Sequence, residues 1–253
     1  TGHTQNPPPT GYGVAVTDKN FKYPTKLRTS VGLDKKLGNG WVLTGEYTYS
    51  KDLHGVYMYN ANLNETNGFA ISNGADTRTR YNTTGTSTSG TNNSNKYYNG
   101  STLSNPNLSN AMIIANTNKG YAYTATFRVQ KSFRHLFFSV AYTHSDVKTT
   151  MENGSTASSL WSARAVSNTD PNAAVLARPS WYQPDRVIAF ANYRVEYGKF
   201  FATTFGAIFE GAPAGVTSFV YNGDLNGDGN TGNDLIYIPK TASDINLIDA
   251  GSY

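Results

Sequence analysis

Three times along this chain a run of about a dozen residues alternates between apolar and polar, turns within a few residues and alternates back. From Lys26, the side chains of Leu27, Val31, Leu33 and Leu37 fall on one face. Lys26, Arg28, Ser30, Asp34 and Lys36 fall on the other. After the turn Gly38-Asn39-Gly40, Trp41, Leu43, Tyr47 and Tyr49 alternate with Thr44, Glu46, Thr48, Ser50 and Asp52. A period of two is the mark of a strand with one apolar face. The second hairpin sets Tyr121, Tyr123, Ala125, Phe127 and Val129 against Leu136, Phe138, Val140 and Tyr142, across a turn around 131–135. The third sets Val187, Ala189, Ala191, Tyr193 and Val195 against Phe201, Phe205, Ala207 and Phe209, across Tyr197-Gly198-Lys199. Its polar face also carries Ile188 and Phe190, so there the alternation is mixed.

The connections are asymmetric. Turns within hairpins are short. Connections between them are long, near 54–119, 149–185 and 211–253, and the first is rich in Asn, Ser, Thr and Gly. Long loops are unusual in compact soluble domains. Short turns at one end and long loops at the other are the pattern of an outer-membrane barrel. A 12-residue strand rises about 40 Å, and a 45° tilt projects that to about 28 Å, close to the apolar band of such barrels. Aromatic residues gather at strand ends, as interfacial girdles require. A soluble antiparallel sandwich also alternates, but it predicts short connections at both ends.

Composition agrees. Charged residues are 15% of the chain, against about 25% in typical domains. Polarity comes instead from 27 Asn, 30 Thr and 24 Gly, beside 18 Tyr. Asn, Thr, Gly and Tyr are poor helix formers. An aromatic content of 13% is too high for a charged disordered chain. A net charge of +4 without a basic stretch disfavours a nucleic-acid partner. The lack of Cys excludes disulfides and zinc–thiolate sites. No run of 18 apolar residues is present, so no helix is expected to span a bilayer, whereas strands alternating as here suffice. The first residues do not read as a signal peptide, and the expectation is of a chain that starts partway through its gene product. The six alternating strands, with Asp234–Ile238 as a possible seventh, are too few to close a barrel of the usual kind.

One loop has metal-binding spacing. Asp224, Asn226 and Asp228 stand at positions 1, 3 and 5 of a calcium loop, Gly229 at position 6, and Asn230 beyond offers a backbone carbonyl. Position 12 is Leu235 where an EF-hand has Glu, and Asp234 at position 11 is the substitute acid. The same residues also make ordinary Asx turns. His144 and Asp146 share a face near one rim, with no paired Ser, so the sequence points to binding rather than catalysis. Lys26, Arg28, Arg128, Arg186, Arg194, Glu46 and Glu196 lie on polar faces with mixed sign, as a hydrated wall with local ion pairs would have them. The aromatics of Val56-Tyr57-Met58-Tyr59 and Trp181-Tyr182 fall at loop bases.

Several segments carry a resemblance. They are Phe21-Lys22-Tyr23-Pro24, then Tyr49-Ser50-Lys51-Asp52-Leu53 followed by Val56-Tyr57 and Asn60-Ala61-Asn62-Leu63, and then Asn118-Lys119-Gly120-Tyr121. Further on come Asp170-Pro171-Asn172 and Gln183-Pro184-Asp185-Arg186-Val187. The most specific is Tyr221-Asn222-Gly223-Asp224-Leu225-Asn226-Gly227-Asp228-Gly229-Asn230, running on to Asn233-Asp234-Leu235-Ile236-Tyr237-Ile238-Pro239. In order and spacing they resemble the TonB-dependent outer-membrane transporters of Bacteroidota, in particular the Oar-like receptors, over about residues 20–240. The resemblance implies a later part of a 22-stranded barrel, with a plug domain absent from this sequence and an inner-membrane energy-coupling protein as partner. It implies active uptake across the outer membrane, with long loops outside the cell. The expected fold is therefore all-β, with hairpins near 25–53, 120–148 and 186–210 as one segment of a large antiparallel transmembrane barrel. The alternative is a non-transporting barrel that serves as a scaffold for surface lipoproteins or export machinery. A barrel enzyme and a soluble calcium-dependent β-protein are weaker alternatives.

Overall fold

The computed structural model describes residues 12–63, 69–70, 78–81, 108–152, 156–165 and 170–244. Its strands are β1 (Tyr12–Thr17), β2 (Lys26–Gly38), β3 (Trp41–Asp52), β4 (Gly55–Asn60), β5 (Phe69–Ala70) and β6 (Thr79–Arg80). They continue with β7 (Leu108–Thr117), β8 (Tyr121–Phe133), β9 (Leu136–Lys148), β10 (Asp185–Tyr197) and β11 (Phe201–Gly211). One short helix, α1 (Ala157–Ser162), lies between β9 and β10. The fold is mostly antiparallel β.

The long strands form one six-stranded sheet in the order β2, β3, β8, β9, β10, β11, so each strand pairs with the next long strand in the chain. Within it, β2/β3, β8/β9 and β10/β11 are the three hairpins expected from alternation. Their turns are Asn39–Gly40, Arg134–His135 and Gly198–Phe200. Arg134 and Asn39 adopt positive φ there, 43° and 50°. At Gly40 the reason is steric as well: φ is 79°, and a Cβ would stand 2.1 Å from the Ser132 carbonyl oxygen.

The register aligns the apolar faces across all six strands. One rung reads Leu33, Gly45, Phe127, Tyr142, Val187, Gly211. Its neighbour on the other face reads Asp34, Thr44, Arg128, Ala141, Ile188, Glu210. A one-residue slip of any strand would send its apolar set to the polar face, so the pattern specifies the register. The charged residues on the apolar face, Lys35, Lys51, Lys131, Asp146, Lys148 and Asp185, stand in the outer third of their strands, and His144 is the fifth residue from the end of β9. The middle of that face is free of charge. Aromatic pairs mark both ends, Trp41 edge-on to Phe138 at 5.6 Å towards the turns and Tyr47 stacked on Tyr123 at 6.3 Å towards the loops. The polar face has Ile188, Phe190 and Ile208 among its residues, the mixed alternation expected of the third hairpin.

Burial is distributed the opposite way from a soluble sandwich. No residue of the six long strands is buried. Val31 is 67% exposed, Leu33 72% and Phe205 63%, all on the apolar face. Among the described residues, all fully buried ones lie beyond the loop end of the sheet. There the connections expected to be long loops carry structure of their own. β4 and β7 continue the β3/β8 pair outward, and β1 adds to β7 in parallel. At the junction, Asp52 N donates to Gly120 O at 2.9 Å, and a Cβ on Gly120 would stand 2.0 Å from Asp52 Oδ2. A side chain at 120 would have to displace the Asp52 carboxylate. Residues 234–238 do not form a seventh long strand: Leu235 makes a single bridge to Val220.

Candidate functional site

The loop-end cap is held by buried polar groups more than by apolar ones. Its apolar cluster is small: Leu63, Tyr81, Met112 and Trp161, with Ala157 against it. Trp161 is carried by α1, whose start Thr156 fixes with a reciprocal capping box to Ser159. Around this cluster Asn60 and Asn172 exchange amide-to-backbone bonds across 112 positions of sequence. Asn60 N donates to Asn172 Oδ1 at 2.8 Å, and Asn172 Nδ2 donates to Asn60 O at 2.9 Å. Trp161 Nε1 also donates to Asn172 Oδ1, at 3.0 Å, and Ala111 N to Asn60 Oδ1, at 3.0 Å. Two Asn side chains thus stitch β4, β7, α1 and the segment before β10 together.

The Asp- and Asn-rich loop is the second stitch. Tyr81 N donates to Asn226 O at 2.7 Å, and Arg78 Nη1 meets Asp234 Oδ1 at 3.0 Å. Arg78 Nη2 donates to Leu235 O at 2.6 Å. Both members of that ion pair are buried. The loop's own turns are Asx turns. Asp224 accepts from Gly227 N at 2.7 Å and Gly229 N at 2.9 Å, and Asp228 Oδ1 accepts from Asn230 N at 2.8 Å. Gly227 and Gly229 adopt φ of 75° and 96°, which the loop's tight winding needs. Asp234 Oδ2 accepts from Leu225 N at 2.7 Å and Asn226 N at 3.3 Å. Asp228 receives the side-chain amides of Asn226 at 3.2 Å and Asn233 at 3.0 Å. Burial pushes its carboxyl up to about 6, with the Asp224 charge adding to the rise and the Asn230 amide opposing it.

The structure therefore brings the five residues with calcium-loop spacing into one turn. It gives Asp234 to Arg78 and to backbone amides, and Asn230 to the Asp228 carboxylate. A sixth residue, Asn233, joins them. Its Oδ1 is buried without a hydrogen-bond partner. Sequence spacing missed Asn233, since position 10 of a calcium loop has no ligand role, although its place beside Asp234 is a visible cue. Among the described residues no three His, Cys, Asp or Glu side chains stand close enough to hold a metal ion.

His144 and Asp146 lie on the apolar face near the loop end but do not pair. His144 Nδ1 meets Asp185 at 2.9 Å, and Asp146 accepts from the Tyr121 hydroxyl at 2.9 Å. The polar-face charges form local pairs: Lys26–Asp52 at 2.9 Å, Arg186–Glu210 at 2.7 Å and Arg194–Glu196 at 2.9 Å. Tyr57 stacks on Tyr59 at 6.0 Å, and Tyr182 is buried with Arg178 over its ring at 4.6 Å. These aromatics pack the base of the cap, while Trp181 is 65% exposed.

Beside the Asp-rich loop the cap contains a cleft of about 700 Å³. The Thr149–Ala177 bridge lies along it, as does the Val220–Leu235 bridge. Ligand pockets commonly fall between about 300 and 1,000 Å³.

No family model, curated protein or solved structure matches this chain.

Proposed function

We propose that this chain is part of an outer-membrane β-barrel of the TonB-dependent transporter type, with the cap outside the cell and substrate capture as its task. One observation carries the reading. The six-stranded sheet exposes an apolar face that is uncharged through its middle, while burial is confined to the loop end. In water so large an apolar face would demand a cover. In lipid it needs none, and the polar face becomes the lumen wall. Strands of 11 to 13 residues suit an apolar band of about 25 Å at the tilt such barrels adopt. Among the described residues β2 and β11 have no outer neighbour. Hydrocarbon does not tolerate open sheet edges, which supports further strands on both sides.

The transport reading rests on the resemblance in the sequence. It implies a plug domain, an inner-membrane energy-coupling partner and no catalysis. The scaffold reading, with a surface lipoprotein on the cap, shares the barrel and differs in energy coupling. Envelope fractionation of the native host tests the barrel: the protein is expected in the outer membrane, released only by detergent. Substrate accumulation lost on collapse of the proton gradient supports transport, and a barrel indifferent to that gradient supports the scaffold.

We further propose calcium as a ligand of the Asp-rich loop, favoured by the unpartnered Asn233 Oδ1 beside Asp228. Asp224, Asp228 and Asn233 would supply oxygens, and calcium would add structural charge balance rather than chemistry. Terbium luminescence sensitised by Tyr81 and displaced by calcium is the test. No signal at millimolar terbium removes calcium from the account.

A further inference from the structure

One stretch of the cap is a strand without a neighbour. From Pro213 to Ser218 the chain runs on without turn or bend, and none of its main-chain groups is hydrogen-bonded to another described residue. It is nonetheless held at two points. At Gly215 it passes so close to Ser180 that a Cβ would stand 2.3 Å from the Ser180 carbonyl oxygen. Further on, Phe219 O accepts from Ile236 N at 3.0 Å, and Val220 bridges to Leu235. Between these holds, Val216, Thr217 and Ser218 are exposed, and all three line the cleft. Successive side chains of an extended chain point to opposite sides, so three in a row on one wall put the main chain itself in that wall. The rest of the lining includes an apolar surface of Leu160, Ala163, Ala177, Val220 and Leu235. Its three charged groups are already occupied. Glu152 accepts from Ser180 N at 2.6 Å and Ser180 Oγ at 2.8 Å. Arg178 is engaged by Asp146 at 3.6 Å and by the Tyr182 ring. Arg164 is hydrogen-bonded to the Tyr57 side chain and attracted by the Asp170 charge.

We propose that this cleft binds a short extended peptide with small, uncharged apolar side chains, which adds as a strand to Val216–Ser218. The peptide exchanges main-chain hydrogen bonds with the strip, as an extended segment does when it joins a sheet edge. Because the strip is already held straight, little ordering opposes the gain. Alternate side chains of the peptide lie against Leu160, Val220 and Leu235. A charged ligand finds no free counter-charge in the lining. A hydrocarbon chain covers the apolar surface but cuts the strip off from water without giving it partners, which is costly. The inference rests on the transport reading and names the class of substrate the cap would take.

The test uses the full-length protein in lipid nanodiscs and three probes by titration calorimetry: acetyl-Ala-Val-Ala-Val-amide, the same peptide with both Val nitrogens methylated, and octanol. The parent peptide is expected to bind about tenfold or more tighter than the methylated one, the weight of two lost main-chain hydrogen bonds. Octanol is expected to bind more weakly than the parent. Gly215→Val, which pushes the strip off the Ser180 carbonyl, is expected to weaken the parent and to shrink the methylation penalty. Val216→Trp, which fills the cleft and leaves the Gly215 approach intact, is expected to weaken both peptides. Equal binding of the two peptides, octanol as tight as the parent, a methylation penalty untouched by Gly215→Val, or no binding of the parent at about 10 mM would each overturn the proposal. Any of these in a protein still resident in the outer membrane overturns the peptide site alone. Peptide binding by a protein that never partitions into membrane overturns the transport reading alone.

Discussion

Arg128 is a native charge near the middle of β8, on the polar face, and donates to Thr44 Oγ1 at 3.2 Å. One residue back, Phe127 stands on the apolar face between Gly45 and Tyr142 and is 52% exposed. The substitution Phe127→Arg moves a charge the chain already tolerates by one position and to the other side of the sheet. If that side faces lipid, an Arg near the midplane costs about 2–4 kcal/mol. Four residues further on, about 13 Å along the strand, Lys131 shares the same face with its amine 4.5 Å from the Trp41 ring. Charges near the interface cost only about 0–1 kcal/mol, so Phe133→Arg, on that face at the end of β8, is expected to be close to neutral. The assay is reversible urea unfolding of the full-length protein in lipid vesicles, followed by heat-modifiable gel mobility. A sandwich would also resent Phe127→Arg, so the depth profile is the discriminating part. Equal costs at 127 and 133, or a cost below about 0.5 kcal/mol at 127, would refute the lipid assignment.

Three further outcomes follow from the cap. Arg78→Ala leaves Asp234 buried without its cation and is expected to cost about 3–5 kcal/mol of cap stability, read by limited proteolysis. Asn172→Ala strips partners from Asn60 and from Trp161 Nε1 at once, about 3 kcal/mol, visible as a shift in Trp161 fluorescence melting. Asp228 binds its proton more tightly in the fold, near 6, than its ordinary 3.8. Its contribution to stability is thus present below about pH 4 and lost as pH rises through about 6, a span of about 3 kcal/mol. With a chelator present, Asp228→Asn is expected to flatten that slope in thermal melts.

The sheet was legible because a strand needs only a period of two and a turn signal. Leu27 to Leu37 and Trp41 to Tyr49 state their own faces, and the turn at Asn39 states the register between them. Pairing of β3 with β8 followed from nothing local, since 68 residues separate their ends; matching apolar faces decides it. The cap was not legible. β7 carries Ala111, Ile113 and Ala115 with Met112 and Ile114 between them, and apolar residues on both faces erase the alternation. The Asn60–Asn172 exchange and the Arg78–Asp234 pair span 112 and 156 positions. Each joins residue types that are common here, so spacing carries no signal of partnership. In the Asp-rich loop the turn chemistry was visible, but Arg78 was not, and it is Arg78 that takes Asp234 out of the expected ligand set.

In the proposed barrel, one face of the six-stranded sheet meets lipid and the other water. These 253 residues contain no Cys, so a single cysteine placed among them has no competitor within this segment. Nitroxide labels placed one at a time from Ala122 to Val129 of β8, in the full-length protein in bilayers, report access to oxygen and to a water-soluble nickel chelate. Strict alternation in opposite phase is expected. Oxygen reaches 123, 125, 127 and 129, and the chelate reaches 122, 124, 126 and 128. Labels at both sets equally open to the chelate would contradict it.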